Sequence, residues 1–175
     1  VPNYGKSEFV DFLTTTFNKK YGMKTLYFSP ENQPVSFHLA KLMAKFTGRK
    51  FSPESYTPEE MNAAVDYIGD NLFFFNYERI TKLEDILALS EKLIKEKGID
   101  IIVLDAYNKI DSDKSVGEME TEFIGKLLDV LCRFAIKHDI MIMLVAHPKK
   151  MDGSKNLTYP IPSAYDINGS AHFFN

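Results

Sequence analysis

Apolar and polar positions along the chain alternate between helical spacing and nearly continuous apolar runs. Apolar residues three or four positions apart predict helices over about 7–21, 33–46, 83–97 and 117–138. Another helix is predicted to begin at Pro58, where a proline and two acids fit a helical first turn. Apolar runs predict buried strands over about 25–29, 71–77, 99–105 and 140–146. Buried strands separated by helices indicate an α/β fold with a mostly parallel sheet and helices on both faces.

The composition is that of an ordinary globular protein, and we expect a single domain over residues 1–175. The chain is 45% hydrophobic and 26% charged, with a net charge of −3. This mild acidity argues against nonspecific nucleic-acid binding through net charge, but local basic patches could still bind nucleic acid.

The lone cysteine, Cys132, excludes an internal disulfide and lies in an apolar helical run, so we expect it in the core. No apolar run reaches the roughly 20 residues that span a bilayer. No signal peptide is visible, and we expect no membrane association and an intracellular location.

The first seven residues fill every position but the first of the phosphate-binding pattern G-x-x-x-x-G-K-[ST]. In such a loop, successive backbone N–H groups curl around the phosphates of a nucleoside triphosphate, which is bound with Mg²⁺. Lys6 would reach the β- and γ-phosphates, and the Ser7 hydroxyl would take one coordination position on Mg²⁺. A chance Gly-Lys-Ser triplet is the alternative. The predicted ligands of ATP are Asn3, Tyr4, Gly5, Lys6, Ser7 and Glu8.

Ionisable residues follow three of the predicted strands, at the edge where ligands bind in parallel sheets. Asp105, after an apolar run, has the position of a Walker B aspartate and is predicted to hold Mg²⁺; a turn or helix-capping role is the alternative. Glu31 is the predicted catalytic base that orients and deprotonates the attacking water, unless it caps the next helix. His147 is predicted to sense the γ-phosphate, unless it is tied to a backbone carbonyl. The remaining histidines show no metal-ligand spacing.

Together these segments resemble the RecA-like ATPase domain of hexameric replicative helicases, of the DnaB type and of the phage and mitochondrial primase-helicases. The matching pieces are VPNYGKSEF, LYFSPEN with the catalytic glutamate, IIVLDAYN, LVAHPKK and YDINGSAHFFN. The resemblance implies a P-loop NTPase whose ATP hydrolysis, aided by Lys6, Glu31 and His147, drives movement along single-stranded DNA. It also implies a homo-oligomer, a hexameric ring in the full-length protein. The residues that would face the DNA are Lys149, Lys150, Gly169 and Ser170. The alternative for the two lysines is that they form a solvated pair on the surface.

The chain departs from that family pattern at both ends. The first Walker glycine and the strand before it are absent, and the chain stops at Asn175, before the family's arginine finger and remaining strands. We therefore expect a partial RecA-like domain, lacking its first strand and C-terminal strands, that is poorly folded or inactive as a free polypeptide. Two other functions stay open on the same fold: a RecA-type recombinase or KaiC-type ATPase, and a non-catalytic ATP-gated assembly module. Glu31 and Asp105 argue against the last of these.

Overall fold

The computed structural model describes residues 5–111 and 120–147, which form a parallel β-sheet with α-helices on both faces. The α-helices are α1 (Lys6–Tyr21), α2 (Val35–Thr47), α3 (Pro58–Asn71), α4 (Leu83–Lys97) and α5 (Glu120–His138). The strands are β1 (Lys24–Phe28), β2 (Leu72–Phe74), β3 (Ile99–Asp105) and β4 (Met141–Val145), and short 3₁₀ helices cover Pro53–Ser55 and Tyr107–Lys109. None of the helices in these two ranges is long and apolar enough to cross a membrane.

The sheet has the strand order β2-β1-β3-β4, and each neighbouring pair is parallel. The central strand β3 pairs with β1 on one side, where Phe28 is opposite Leu104, and with β4 on the other, where Asp105 is opposite Val145. This architecture confirms the predicted α/β class with helices on both faces and is consistent with a RecA-like fold. Parallel pairing also brings the carboxyl ends of β1, β3 and β4 to the same edge of the sheet.

Successive residues of the central strands point to opposite faces of the sheet, and each face is covered by its own set of helices. One buried cluster joins Tyr27, Ile101 and Val103 to apolar residues of α1, α2 and α3. The other joins the alternate positions Leu26 and Leu104 to apolar residues of α4 and α5. Burial on both faces explains why the strands read as continuous apolar runs rather than as alternating ones.

The structure differs from the sequence predictions in two places. The strand predicted over 71–77 is only Leu72–Phe74, because α3 continues through Asn71 and the backbone N–H of Leu72 still donates to the carbonyl of Ile68. Cys132, expected in the core, is exposed. The buried residues of α5 include Leu127 and Leu131, and the helical period turns the position after Leu131 away from the core. The predicted beginning of α5 near residue 117 lies outside the described residues.

Replacing either of two glycines with alanine tests the backbone conformation of the helices. The expected changes in the free energy of unfolding have opposite signs at the two positions. Gly22 ends α1 with φ 71° in the left-handed region, and its N–H donates to the Asn18 carbonyl at 2.8 Å. Gly69 lies inside α3, and a Cβ added at either glycine meets no atom within 4 Å. We expect Gly22→Ala to lower the free energy of unfolding by about 1 kcal/mol. We expect Gly69→Ala to raise it by about 0.5–1 kcal/mol. Denaturant titration of the complete protein checks both signs, and a change of the same sign in the two variants would contradict the assigned backbone conformations.

Candidate active site

The predicted site residues that the structure describes converge at the carboxyl edge of the sheet. Glu31 lies three residues past the end of β1, Asp105 ends β3, and His147 lies two residues past β4. The first turn of α1 reaches the same edge, because the Ser7 hydroxyl is close enough to the Asp105 carboxyl to lower its pKa. Residues far apart in the sequence therefore surround one location at the N-terminus of α1.

The start of α1 is built to receive an anion. Gly5 caps the helix with φ 73°, a left-handed conformation that glycine adopts without strain, and its carbonyl accepts the first helical bond from Phe9 N at 2.8 Å. The N–H groups of Lys6, Ser7 and Glu8 have no acceptor four residues back inside the helix. Helix N-terminal N–H groups and the helix dipole both favour phosphate at this position.

The side chain of Glu8 points toward α2 and forms ion pairs with two of its lysines. Its carboxylate contacts Lys41 Nζ at 3.1 Å and also contacts Lys45. The hydrogen bond from Lys45, ahead of the one from Lys41, holds the pKa of Glu8 below its usual range. The predicted role of Glu8 in nucleotide binding therefore rests on its backbone N–H, since its side chain is engaged by α2.

Asp105 is a buried carboxylate with one oxygen that has no protein partner among the described residues. The side chain is 2% exposed; its Oδ2 accepts a hydrogen bond from Asn32 Nδ2 at 3.2 Å, whereas its Oδ1 accepts none from residues 5–111 or 120–147. Burial raises the pKa of Asp105 and the nearby charges of Glu31 and Asp11 add to this rise, while the Ser7 hydroxyl and His147 act in the opposite direction.

This arrangement fits the predicted Mg²⁺ site. A hard divalent cation prefers oxygen ligands, and a carboxylate oxygen left without a partner beside a serine hydroxyl supplies two. Within the described residues no group of three or more His, Cys, Asp and Glu side chains is placed to hold a metal. Mg²⁺ is commonly bound by one or two protein oxygens together with substrate phosphates and waters, so this sparse donor set suits it.

Glu31 sits in a tight turn that directs it toward His147. The turn is closed by a hydrogen bond from Asn32 N to Ser29 O at 3.1 Å, with Pro30 at its second position. Glu31 Oε2 lies 3.3 Å from His147 Nε2, although the two groups are not aligned for a hydrogen bond. Both side chains are about one-third exposed, at 37% and 34%, although the His147 Nε2 atom itself is buried.

Asn32 is a site residue whose function the sequence did not reveal. Its amide nitrogen holds Asp105, and its carbonyl oxygen accepts from Lys41 Nζ at 3.3 Å. It thereby ties the Glu31 turn to the end of β3. These contacts depend on tertiary geometry, which the local sequence does not reveal. The predicted residues Asn3, Tyr4, Lys149, Lys150, Gly169 and Ser170 lie outside the described ranges.

Comparison with known proteins gives one informative similarity. No protein-family model matches the chain. The chain is 30% identical over 187 residues to the Twinkle homolog protein, chloroplastic/mitochondrial, of Arabidopsis thaliana. The alignment covers 100% of this chain and 25% of that protein, so the chain spans a quarter of the length of the relative that it matches. The chain is thus similar over its whole length to one part of that protein.

We expect Asp105→Asn to stabilise the fold at neutral pH, since it removes a buried negative charge. A raised pKa means that the folded state binds the Asp105 proton more tightly than the unfolded state does. The carboxyl therefore carries little burial cost below its ordinary pKa of 3.8, and the cost grows as the pH rises through the higher folded value. Thermal melts should show a gain in Tm at neutral pH that shrinks toward acid.

The matched control for this substitution is Asp66→Asn, which removes an exposed carboxylate of α3. It should leave Tm nearly unchanged throughout the same pH series. A loss of Tm for Asp105→Asn at neutral pH would contradict the conclusion that its charge is unfavourable in the fold.

Proposed function

We propose that this chain is the motor domain of a DNA helicase that couples ATP hydrolysis to movement along single-stranded DNA. The observation that carries the proposal is the buried Asp105 carboxylate near Ser7, at the edge that also holds Glu31 and His147. Its Oδ1 has no hydrogen-bond partner among the described residues. An unpaired buried acceptor costs about 1–3 kcal/mol, and a cation bound at Asp105 would remove that cost. The whole-chain similarity to the plant Twinkle homolog supports the same class of function.

Nucleotide binding would rest on the N-terminal turn of α1. Its free N–H groups would hold the phosphates, and Lys6 would add a point charge at the β- and γ-positions. Ser7 and Asp105 would hold Mg²⁺, which would neutralise part of the phosphate charge when bound. Because the Asp105 carboxylate is already desolvated, little water has to be removed from it when the nucleotide binds.

Hydrolysis would use Glu31 as the base that orients and deprotonates the attacking water. The water oxygen bonds to the γ-phosphorus as the bond to the β–γ bridging oxygen breaks, and ADP leaves with that electron pair. The water proton passes to the Glu31 carboxylate. His147, 3.3 Å from Glu31, would contact the γ-phosphate beside that water and respond when the phosphate departs.

Translocation would require a homo-oligomeric ring, hexameric by resemblance, with Lys149, Lys150, Gly169 and Ser170 on the DNA. Contacts to phosphates carry no sequence information, which suits a motor that steps along any strand. Activity separates this proposal from its alternatives. A helicase has ATPase activity that single-stranded DNA stimulates and unwinds a forked duplex, a recombinase forms filaments and exchanges strands, and an assembly module shows negligible turnover.

Glu31→Gln in the complete protein should keep ATP affinity within about 3-fold and lower kcat by about 10²–10⁴-fold, because it removes a base and little of the binding surface. Lys6→Ala should abolish measurable turnover by weakening phosphate binding. Phosphate release and binding of a fluorescent ATP analogue measure the two effects. Glu54→Gln, at an exposed acid of the first 3₁₀ helix, is the matched control and should leave both quantities unchanged. Wild-type turnover in Glu31→Gln would show that another group is the base.

Lys149→Ala and Lys150→Ala should each weaken binding of single-stranded DNA to a similar degree for every sequence. Each should also lower the slope of log affinity against log salt concentration by about 0.7, the value for one phosphate contact on a single strand. Fluorescence anisotropy with oligonucleotides of different sequence, at several salt concentrations, measures both effects. Lys92→Ala removes an exposed lysine of α4 and should change neither. An unaltered salt slope in the two variants would exclude Lys149 and Lys150 as phosphate contacts.

A further inference from the structure

A buried polar contact connects the phosphate-loop helix α1 to helix α2. Asp11, one helical turn after Ser7, places Oδ1 2.9 Å from Nε2 of His38, and both side chains are almost fully buried, at 2% and 1% exposed. The His38 ring is held edge-on by two aromatic rings, with centroids 5.0 Å away at Tyr27 and 5.4 Å away at Phe74. The Nε2 edge of the imidazole faces α1.

A second buried hydrogen bond connects α1 to strand β1. Tyr27 and Thr14 place their hydroxyl oxygens 2.6 Å apart, and both residues are buried. Thr14 already donates to the carbonyl of Val10 at 3.0 Å, so Tyr27 is the donor of the pair. Burial first, and the charge of Asp11 second, raise the pKa of Tyr27 above its usual range, which keeps this donor protonated.

The two contacts lie on either side of Glu31 along the chain. Tyr27 is in β1, four residues before Glu31, and His38 is in α2, seven residues after it. Both side chains contact the two turns of α1 that follow Ser7. The segment that carries Glu31 is thus fastened to the phosphate-loop helix at both of its ends.

The Asp11 contact is maintained at a cost to stability. Its second oxygen, Oδ2, is buried and has no hydrogen-bond partner among the described residues, and such an acceptor costs about 1–3 kcal/mol. An apolar pair in the same place would avoid that cost. Apolar contacts, however, are non-directional and would let α1 slide on α2 and β1, whereas hydrogen bonds of 2.9 Å and 2.6 Å fix the relative position.

We propose that Asp11–His38 and Thr14–Tyr27 form a clamp that positions Glu31 relative to nucleotide held by the phosphate loop. These four are positioning residues, which act through Glu31 and contact no nucleotide. The inference rests on the proposed function, because it assigns the clamp to the hydrolytic step. It predicts that loosening the clamp lowers kcat and leaves nucleotide affinity intact, since Lys6 and Ser7 are on α1 itself.

Tyr27→Phe in the complete protein tests the clamp with the loss of one hydroxyl. Thr14 keeps its carbonyl acceptor, so no donor is orphaned. We expect kcat for ATP to fall about 10-fold, because misplacing a catalytic group by less than an ångström has effects of this size. The Kd for a fluorescent ATP analogue should change less than about 2-fold. Asp11→Ala should lower kcat further, and Asp11→Asn, which retains an acceptor for His38, should recover most of it.

Tyr56→Phe is the matched control. The Tyr56 hydroxyl lies 2.7 Å from that of Thr47 and also donates to Arg49 O at 3.2 Å, and Thr47 donates to its own helix at Met43 O. The substitution therefore removes a tyrosine hydroxyl bonded to a threonine at the far end of α2. This variant should lose similar thermal stability and keep wild-type kcat. The decisive measurement compares the residual turnover of Glu31→Gln with that of the double variant that carries Tyr27→Phe and Glu31→Gln. If the clamp acts through Glu31, the residual turnover changes less than about 2-fold, whereas general loss of folded protein lowers it about 10-fold again.

The outcomes separate the two claims. If the wild-type protein hydrolyses no ATP, the proposed function fails and the clamp fails with it. If the wild type is active and Tyr27→Phe keeps its kcat, or loses it equally in both backgrounds, only the clamp is wrong. Should Asp11→Ala fail to fold, Tyr27→Phe and Asp11→Asn still decide the question.

Discussion

The site depends on the parallel pairing of the central strand β3 with both of its neighbours. Because β3 pairs with β1 and β4 in the same direction, the residues that follow all three strands emerge at one edge. An antiparallel neighbour would send its carboxyl end to the opposite edge, about a strand length away from Asp105. The apolar faces of β3 fix the register, since a shift of one residue would exchange Ile101 and Val103 with Ile102 and Leu104 between two different helix layers. The core thus determines where the ionisable groups lie.

At this edge of the sheet, the groups that suit the candidate function lower the stability of the fold. Asp105 and Asp11 each bury a carboxylate oxygen that has no protein hydrogen-bond partner within residues 5–111 and 120–147. Each negative charge makes the other less favourable, and Glu31 adds to the effect at Asp105. A fold selected for stability alone would use amides or apolar residues at these positions. A carboxylate kept partly desolvated is a stronger ligand for a cation than one in water, because less hydration has to be lost on binding.

The sequence predicted the fold class and the strand-end residues because both follow from local signals. Buried strands have continuous apolar runs, and a charged residue ending such a run must sit at the sheet edge. The contacts of Asn32 and the Asp11–His38 pair depended on tertiary geometry and had no local signal. Asp11 reads as an ordinary polar position in an amphipathic helix, and His38 as one polar residue among apolar ones. Only the packing of α1 on α2 brings them together. The prediction that Cys132 lies in the core was wrong, because an apolar run in a helix does not specify which of its residues face the core.

Polar contacts fix the position of α1 along its own axis relative to β1 and α2, which apolar packing alone does not do. The remainder of the α1 interface is apolar, with residues such as Val10 and Phe17 packed against the cluster of Tyr27 and Leu42. Such packing tolerates small translations, because its energy depends on buried area rather than on direction. The hydrogen bonds at Thr14 and Asp11, in contrast, require donor–acceptor distances near 3 Å and a limited range of angles. Since Ser7 and Lys6 are on the same rigid helix, fixing α1 against β1 and α2 also fixes the distance between the phosphate loop and the Glu31 turn. A hydrolytic base would have to be placed to that precision, whereas the proposed phosphate binding at the start of α1 would not depend on it.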